Sequence, residues 1–274
     1  MTIGEYYNLK IAREVDFGVY LESELGDILL PQKYLPEEYE VGGSLNVFLY
    51  KDSEDRLIAT TLEPTGKLGD FVALETKDSN AHGAFMEWGL EKDLFVPRSE
   101  QHKPFQLGLK YVVKICFDYK TERLIGVSKL HSFFDQDTDG LRGGEEVELL
   151  IYDQTDLGYM AVINQRYSGL IYVNEVFEQI QIGDIKKGYI KLIREDGKID
   201  LRLKPAGLNA ITNDASKVLR YLEQNDGFMP LTDSSSPESI RSLLQMSKKS
   251  FKKALGNLYR DKKVRLGKEG VRLV

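Results

Sequence analysis

Aromatic residues placed around a glycine are the first feature of the chain that could do chemistry. The segment EVDFGVYL, residues 14–21, has Phe17 before Gly18 and Tyr20 after it. A glycine weakens a strand interior, and it usually marks a backbone bulge or a close approach by another molecule. The segment therefore predicts a bulged strand at which a partner could reach two rings.

A second stretch has the spacing of a calcium-binding loop. The segment DQDTDGLRGGEE satisfies the EF-hand pattern through Asp135, Asp137, Asp139, Gly140 and Glu146. An EF-hand needs flanking helices and usually an apolar residue where Arg142 stands, whereas the following EEVELLIYD reads as a strand. We therefore predict a solvated acidic linker, with no metal site and no other cofactor.

The remaining reactive residue types do not form a catalytic pattern. The sequence has no nucleophile–base constellation, no phosphate loop and no Cys/His set at zinc spacing, so we expect no enzyme activity. The one cysteine, Cys116, lies in the apolar run YVVKICFDY, which predicts an inert buried thiol in a reducing compartment. A signal segment and a long apolar run are also absent from the sequence, which predicts a cytoplasmic protein without a membrane partner.

The glycine at the first rings belongs to a pattern that is read three times. In each copy, a glycine is followed by a short apolar strand, a second glycine before a long strand, and a basic residue that opens the last strand. The leading glycines are Gly18, Gly83 and Gly158, and the basic residues lie 38, 40 and 40 positions later. Short strands broken by turn residues favour a small closed five-stranded barrel, because closure leaves no exposed edge.

The last part of the chain differs in charge and in periodicity. Residues 241–274 carry a net charge of +9 and residues 1–240 carry −15, which hints at a polyanionic partner for the basic part. Three helices are predicted, the first with Asp214 as its cap, the second with Pro237 in its first turn and the third with Ser247 as its cap.

A terminal hairpin, VRLGKEGVRLV, follows the three predicted helices, and together they form a winged helix. The short turn at residues 245–246 places the third helix in the recognition position. Its lysines lie largely off the apolar stripe, where they could hold phosphate without reading sequence. They are Lys248, Lys249, Lys252 and Lys253.

The order of motifs resembles the S-one RNA-binding domain, an OB-fold repeat. That signature runs aromatic-Gly-small-aromatic, then Gly-Leu-apolar-His, then Asp-x-x-x-Arg before the last strand. Three such repeats followed by a basic helical tail are similar to the bacterial conserved virulence factor B family. The resemblance covers essentially the whole chain and implies binding of single-stranded RNA, with post-transcriptional regulation of gene expression, including virulence regulation, in bacteria.

The family motifs carry over unevenly among the repeats. Leu30 and Val96 stand where the family has histidine, and in the third repeat Leu157 and Met160 replace both rings while Tyr172 falls at the histidine position. Trp88, Arg98 and Lys33 lie in adjoining loops. The barrel residues that the resemblance assigns to RNA binding are Phe17, Tyr20, Asp52, Arg56, His82, Phe85, Arg123, Tyr172 and Lys198.

A stacking mechanism follows from this resemblance. A bulge at Gly18 would place Phe17 and Tyr20 on one barrel face, where exposed rings stack on unpaired bases for about 1–3 kcal/mol per base. The basic residue on the last strand would then meet the intervening phosphate. The first barrel is expected to have the best stacking surface and the third the poorest.

We therefore predict a mainly β protein with four modules. They are a first barrel at residues 1–64, a second at 65–134, an acidic linker at 135–143, a third barrel at 144–210 and a winged helix at 211–274. The expected partner is single-stranded RNA, with DNA as a further partner of the winged helix, and the expected oligomeric state is a monomer. Two other classes stay open: a protein-binding adaptor whose acidic barrels dock a basic partner, and a winged-helix transcription regulator that binds DNA.

Overall fold

The computed structural model of the protein describes residues 1–176, 178–205 and 208–274, without the side chains of residues 208–213. Within these ranges, the strands form three closed five-stranded barrels and one three-stranded sheet. The chain divides into two compact units. Met1–Phe134 contains the first two barrels, and Asp135–Val274 contains the third barrel and the winged helix.

In each of the three barrels, the first and fourth strands are longer than the other three. The first contains β1 (Tyr6–Val15), β2 (Gly18–Leu21), β3 (Ile28–Pro31), β4 (Ser44–Lys51) and β5 (Leu57–Thr60). The second contains β6 (Phe71–Ser79), β7 (Gly83–Glu87), β8 (Leu94–Pro97), β9 (Lys110–Asp118) and β10 (Arg123–Val127). The third contains β11 (Glu146–Thr155), β12 (Gly158–Ile163), β13 (Tyr167–Tyr172), β14 (Ile185–Ile193) and β15 (Ile199–Arg202).

All three barrels close in the same strand order. In each, the first strand pairs with the second and fourth, and the fifth lies between the third and the fourth. Alternate residues of the strands point inward, so Val19, Leu21 and Leu30 are fully buried in the first core. A single turn of 3-10 helix follows the third strand each time. The repeat read in the sequence is therefore a repeat of fold.

The leading glycine of each repeat is required because the backbone of the third strand passes close to its Cα. The prediction of a bulge at Gly18 is wrong. A Cβ on Gly18 would lie 2.2 Å from the Leu30 carbonyl oxygen, and Gly83 and Gly158 would clash in the same way. Gly18 pairs regularly with both neighbouring strands. The irregularity lies on β1, between Ile11 and Arg13, because only the hydrogen-bond register reveals which strand carries the extra residue.

The strand register also corrects the position that corresponds to the family histidine. Gly18 lies opposite Pro31, Gly83 opposite Pro97, and Gly158 opposite Tyr172. Each of these partners ends its strand before the 3-10 turn. Pro31 and Pro97, rather than the buried Leu30 and Val96, are therefore the equivalents of Tyr172.

The winged helix has the predicted order of elements and one additional strand. Its elements are α1 (Leu208–Gln224), β16 (Phe228–Met229), α2 (Pro237–Leu244), α3 (Lys248–Arg260), β17 (Val264–Leu266) and β18 (Val271–Leu273). Ser247 caps α3 by accepting a hydrogen bond from the Ser250 amide, as predicted. Gln245 ends α2 with φ 51°, a left-handed conformation that gives the sharp turn between the two helices.

The prediction that Asp214 caps α1 is wrong. The helix already begins at Leu208, so Asp214 lies inside it and is buried. Its carboxylate accepts a hydrogen bond from Lys204 Nζ at 3.1 Å, and this partner satisfies the charge in place of the helix amides. An acid before an apolar stripe looks like a cap in sequence, but here it is an ion-pair partner.

The acidic segment 135–146 lies against the third barrel. Asp135 forms an ion pair with Arg166, and Leu141 packs against the barrel core. The segment runs directly into β11, where Glu146 contacts Lys187 and Tyr189 at 3.0 Å each. Among the described residues, no group of three or more acidic, histidine or cysteine side chains is placed to hold a metal ion.

The predicted fold class is confirmed: the protein is mainly β, with three five-stranded barrels followed by a winged helix. The division at residues 1–64, 65–134, 135–143, 144–210 and 211–274 stays a prediction. None of the helices in the described part of the chain is long and apolar enough to cross a membrane.

Candidate nucleic-acid interface

A row of three side chains crosses the outer face of the second, third and fifth strands of each barrel. In the second barrel, Phe85 on β7 lies opposite Phe95 on β8, which neighbours Ile125 on β10. Their neighbours Leu94 and Val96 point into the core, so the row itself faces outward and is half-buried. The centroids of the two rings are 5.0 Å apart at an interplanar angle of 44°. The row offers an aromatic surface on which a base could stack.

This row lines a cleft of about 500 Å³, which is within the size range of small-ligand sites. The first barrel contributes Tyr50, Lys51 and Ser53 to the cleft wall. The second barrel adds Lys92 and Arg123 together with three acids, so the cleft combines aromatic walls with charges of both signs. The structure thus brings the predicted residues Phe85 and Arg123 to one site.

Two further aromatic residues, Phe95 and Trp88, line the cleft. Phe95, beside Phe85 in the row, was missed, although its place two residues before Pro97 could have been found by aligning the third strands. Trp88 was expected in a bordering loop. It is buried, and its Nε1–H donates to the Lys92 carbonyl at 2.7 Å, so its main role is in the core.

Arg123 is not free in the structure. Its Nε donates to Asp55 Oδ1 at 2.7 Å, and its terminal nitrogen donates to the other Asp55 oxygen. Lys92 Nζ lies 3.5 Å from the same carboxylate. The Arg123 hydrogen bonds hold the pKa of the Asp55 carboxyl below its usual value.

In the first barrel, the corresponding row is partly covered. It consists of Tyr20, Leu29 and Ile58, and Ile58 is buried among residues that include Trp88. The Arg13 guanidinium, which sequence reasoning missed, lies 4.1 Å from the centre of the Tyr20 ring.

The exposed ring of the first barrel is Phe17. It lies in the turn between β1 and β2 and is 56% exposed, with its centroid 6.4 Å from that of Tyr20 in an edge-to-face arrangement. The structure brings Phe17 and Tyr20 together as predicted. His82 occupies the equivalent turn of the second barrel and is also exposed, with its backbone N–H bonded to Asn80 Oδ1 at 2.8 Å.

Arg56 and Asp52 of the first barrel form a local ion pair. Arg56 Nε donates to Asp52 Oδ2 at 2.8 Å, and a second guanidinium nitrogen is 2.9 Å from Glu54. Partial burial disfavours the charged form of Asp52, but the hydrogen bonds from Arg56 and the Glu54 amide, together with the Arg56 charge, outweigh it and lower the pKa of this carboxyl. The pair closes the turn between β4 and β5 and leaves the guanidinium exposed to solvent.

The third barrel has a polar site in place of rings. Its row consists of Met160, Leu170 and Asp200, and Asp200 is buried. Arg194 binds Asp200 at 2.8 Å and also donates to the Tyr172 hydroxyl. Sequence reasoning missed Arg194 and Asp200; the signal that could have revealed them is an acid in the last strand at the place where the other two barrels have isoleucine.

The predicted cation of the third barrel, Lys198, is exposed and bound to Asp196 at 2.7 Å within its own turn. Because Arg56 and Arg123 are also paired, each of the three predicted barrel cations has a carboxylate partner. A phosphate would have to compete with that partner at each barrel.

The lysine helix α3 has the opposite character. Lys249, Lys252 and Lys253 are exposed, and within the part of the chain that the structure describes none of them has a carboxylate in ion-pair distance. Lys248 is half-buried and donates to the Ser234 carbonyl at 3.4 Å. The buried side of the helix holds Phe251, Ala254, Leu255 and Leu258.

The position of these lysines is unfavourable for the helix itself. Lys248 and Lys249 lie in the first turn of α3, which contains no acid, and they add positive charge at the positive end of the helix dipole. A bound anion would relieve that repulsion. The exposed lysines of α3 are therefore candidate contacts for an anion.

Comparisons with known proteins agree with this architecture. Residues 3–62 match the family described as S1 domain, and residues 216–273 match the CvfB-like winged helix domain. YitL of Bacillus subtilis is 29% identical over 96% of this chain and 91% of its own. Conserved virulence factor B of Staphylococcus epidermidis is 26% identical over 82% of this chain and 78% of its own.

A solved structure from Streptococcus pneumoniae, described as a multidomain protein with nucleic acid binding domains, is 24% identical to this chain. The match covers 99% of this chain and 98% of that chain, with a TM-score of 0.49.

The fold is an assembly of three barrels and a winged helix, in which the first barrel matches the S1 domain family and the last module matches the CvfB-like winged helix domain. Within that class, the predicted resemblance to the conserved virulence factor B family is confirmed.

Proposed function

We propose that this protein binds single-stranded RNA and regulates gene expression after transcription. The observation that carries the proposal is the row of Phe85, Phe95 and Ile125, which opens into a cleft that also contains Arg123. Unpaired bases have free faces for stacking, whereas the bases of a duplex are already stacked on each other. The relatives named conserved virulence factor B support a role in virulence regulation.

The modules have different roles in this proposal. The barrels select single strands, because only unpaired bases have faces free to stack on rings such as Phe17 and Phe85. The lysine helix supplies long-range attraction, because its exposed lysines are the described cations best placed to neutralise phosphates. The other assigned barrel residues contribute at the periphery: Tyr20, Asp52, Arg56, His82, Tyr172 and Lys198.

The proposal includes no catalytic step and places the protein in the cytoplasm as a monomer. A second candidate, duplex DNA binding by the winged helix, is favoured by the exposed lysines in the recognition position of α3. The two candidates make different demands on the barrels, since the rings of the first two barrels would not be needed for a duplex.

A direct titration tests the proposal. Labelled single-stranded RNA and duplex DNA of equal charge are titrated with the full chain at the same salt concentration. Phe85→Leu provides the test variant, and Met160→Leu, at the equivalent position of the third barrel, is the matched control. The proposal expects tighter binding of the single strand, weakened by Phe85→Leu and not by Met160→Leu.

Two results would contradict RNA binding by the barrels. Equal or tighter binding of duplex DNA, unaffected by Phe85→Leu, would favour the transcription regulator. Binding of neither nucleic acid, together with recovery of a basic protein in a nuclease-treated pull-down, would favour the adaptor.

A further inference from the structure

The predicted phosphate contact of the second barrel is held by an acid from the first barrel. Arg123 binds Asp55, which lies in the turn between β4 and β5. Lys198 of the third barrel is held by a carboxylate of its own turn, and Arg56 of the first barrel likewise. Among the described residues, Arg123 is thus the one of the three predicted barrel cations whose ion-pair partner belongs to a different barrel.

The geometry of this contact is that of a bound oxyanion. Both Asp55 oxygens accept hydrogen bonds from the Arg123 guanidinium, and Lys92 adds a second cation at 3.5 Å. The planar guanidinium fork recognises carboxylate and phosphate by the same paired hydrogen bonds. Arg123 and Lys92 both line the cleft that contains Phe85. A nucleotide stacked on Phe85 would therefore bring its phosphate toward cations that Asp55 already holds.

We propose that the Asp55 carboxylate competes with RNA phosphate for binding to Arg123. This proposal rests on the proposed function. In the free protein, the Asp55 carboxylate occupies the place of a phosphate. RNA binding at the cleft exchanges this carboxylate for a backbone phosphate. The same exchange breaks an ion pair between the first two barrels, so it links RNA binding at the cleft to their packing.

The solvent exposure of the Asp55–Arg123 ion pair sets the size of the expected change in RNA affinity. The side chains of Arg123 and Asp55 are 47% and 41% exposed, so their ion pair is solvent-screened. Removing a competitor of that strength should raise RNA affinity by roughly 2- to 5-fold. In a variant without the Asp55 carboxylate, Arg123 can bind a phosphate without first losing an ion pair. The slope of log affinity against log salt should therefore steepen by up to about 0.7.

The backbone at Asp55 determines which variants are informative. Asp55 has φ 63°, in the left-handed region that asparagine and glycine adopt with little strain. Asp55→Asn removes the charge and keeps the turn conformation, and Asp55→Gly is a second variant that preserves it. Glu5→Gln is the charge-matched control, since Glu5 pairs with Lys67 at 2.9 Å and neither residue lines the cleft.

The experiment is a double-mutant cycle between Asp55 and Arg123, measured as the affinity of the full chain for a labelled single-stranded oligo-RNA. The proposal expects Asp55→Asn and Asp55→Gly to raise affinity in the parent. It expects neither effect in an Arg123→Ala background, and a smaller or no effect from Glu5→Gln.

Three results would overturn the competitor role. They are an unchanged or lowered affinity in both folded Asp55 variants, an equal increase in the Arg123→Ala background, and an equal increase from Glu5→Gln. A lowered affinity would show that Asp55 positions Arg123 for RNA. If the parent binds RNA and Phe85→Leu weakens binding while both Asp55 variants do not change it, only the competitor role is wrong. If the parent does not bind single-stranded RNA, the proposed function falls as well.

Discussion

Replacing Lys249, Lys252 and Lys253 with alanine should flatten the salt dependence of RNA binding. These three side chains are exposed on α3 and have no ion-pair partner among the described residues, so each is available for a phosphate. Lys248 is not counted, because it is half-buried and bonded to a carbonyl. Each lost contact with a single strand changes the slope of log affinity against log salt by about 0.7, so three contacts change it by about 2.

This change in slope is large enough to measure by fluorescence anisotropy with a labelled oligo-RNA. Between about 50 and 200 mM salt, the affinity of the parent should fall roughly 16-fold more than that of the variant. The matched control replaces three exposed lysines of the first unit, Lys10, Lys110 and Lys129, and thereby removes the same charge. Equal slopes in the parent and the folded α3 variant would refute the assignment of phosphate contacts to this helix. An equal flattening in the control would show that net charge, rather than α3, sets the slope.

Further predictions concern stacking, the repeat glycine, pH and calcium. Phe85→Leu should weaken RNA binding by roughly 5-fold or more, because it removes a ring face and keeps an apolar side chain, as titration would show. Gly83→Ala should lower the free energy of unfolding by about 2 kcal/mol in urea, because its Cβ would lie 2.3 Å from a backbone oxygen. Gly140→Ala is the control, since its Cβ would have no atom within 4 Å. The Arg123 hydrogen bonds lower the pKa of Asp55 from its usual value of 3.8, so the ionised carboxylate stabilises the fold above pH 3.8. The free energy of unfolding should therefore fall as the pH drops below 3.8, and it should fall less in Asp55→Asn. Calorimetry should find no calcium site tighter than about 1 mM in the segment 135–146.

Each of these predictions has a result that contradicts it. Parent-like RNA affinity in folded Phe85→Leu would remove the ring from the binding site. Similar stabilities of Gly83→Ala and Gly140→Ala would show that β8 yields to a new side chain. Identical acid sensitivity with and without the Asp55 carboxylate would assign the pH effect to other acids, and a micromolar calcium isotherm lost in Asp135→Ala would establish a metal loop.

The features that could be predicted from sequence are those set by local patterns. The three leading glycines, the short strands and the lysine helix depend on residues close together in the chain, and the structure has them in the predicted order. The cap at Ser247 is also local, because its hydroxyl bonds an amide three residues later. Likewise, the ring pair Phe17 and Tyr20 spans one strand end, and its contact follows from proximity in sequence.

The features that could not be predicted depend on register or on packing between modules. The equivalence of Pro31 with Tyr172 requires the strand pairing, since a shift of one residue reverses which face a side chain occupies. The bond between Asp55 and Arg123 requires the packing of two barrels, which no local pattern encodes. The pair of Arg194 and the buried Asp200 replaces an apolar contact of the other barrels, and only the pairing of β13 with β15 shows that this acid belongs to the row of the third barrel.

The most direct test of the account is ultraviolet crosslinking of a single-stranded RNA to the full chain, with the adducts mapped by mass spectrometry. We expect nucleotide adducts on Phe85 or Phe95, because an unpaired base would stack against the row on β7 and β8. These adducts should persist at a salt concentration that screens the lysine helix. Adducts confined to residues 216–273, or none in the second barrel at any salt concentration, would contradict the central claim.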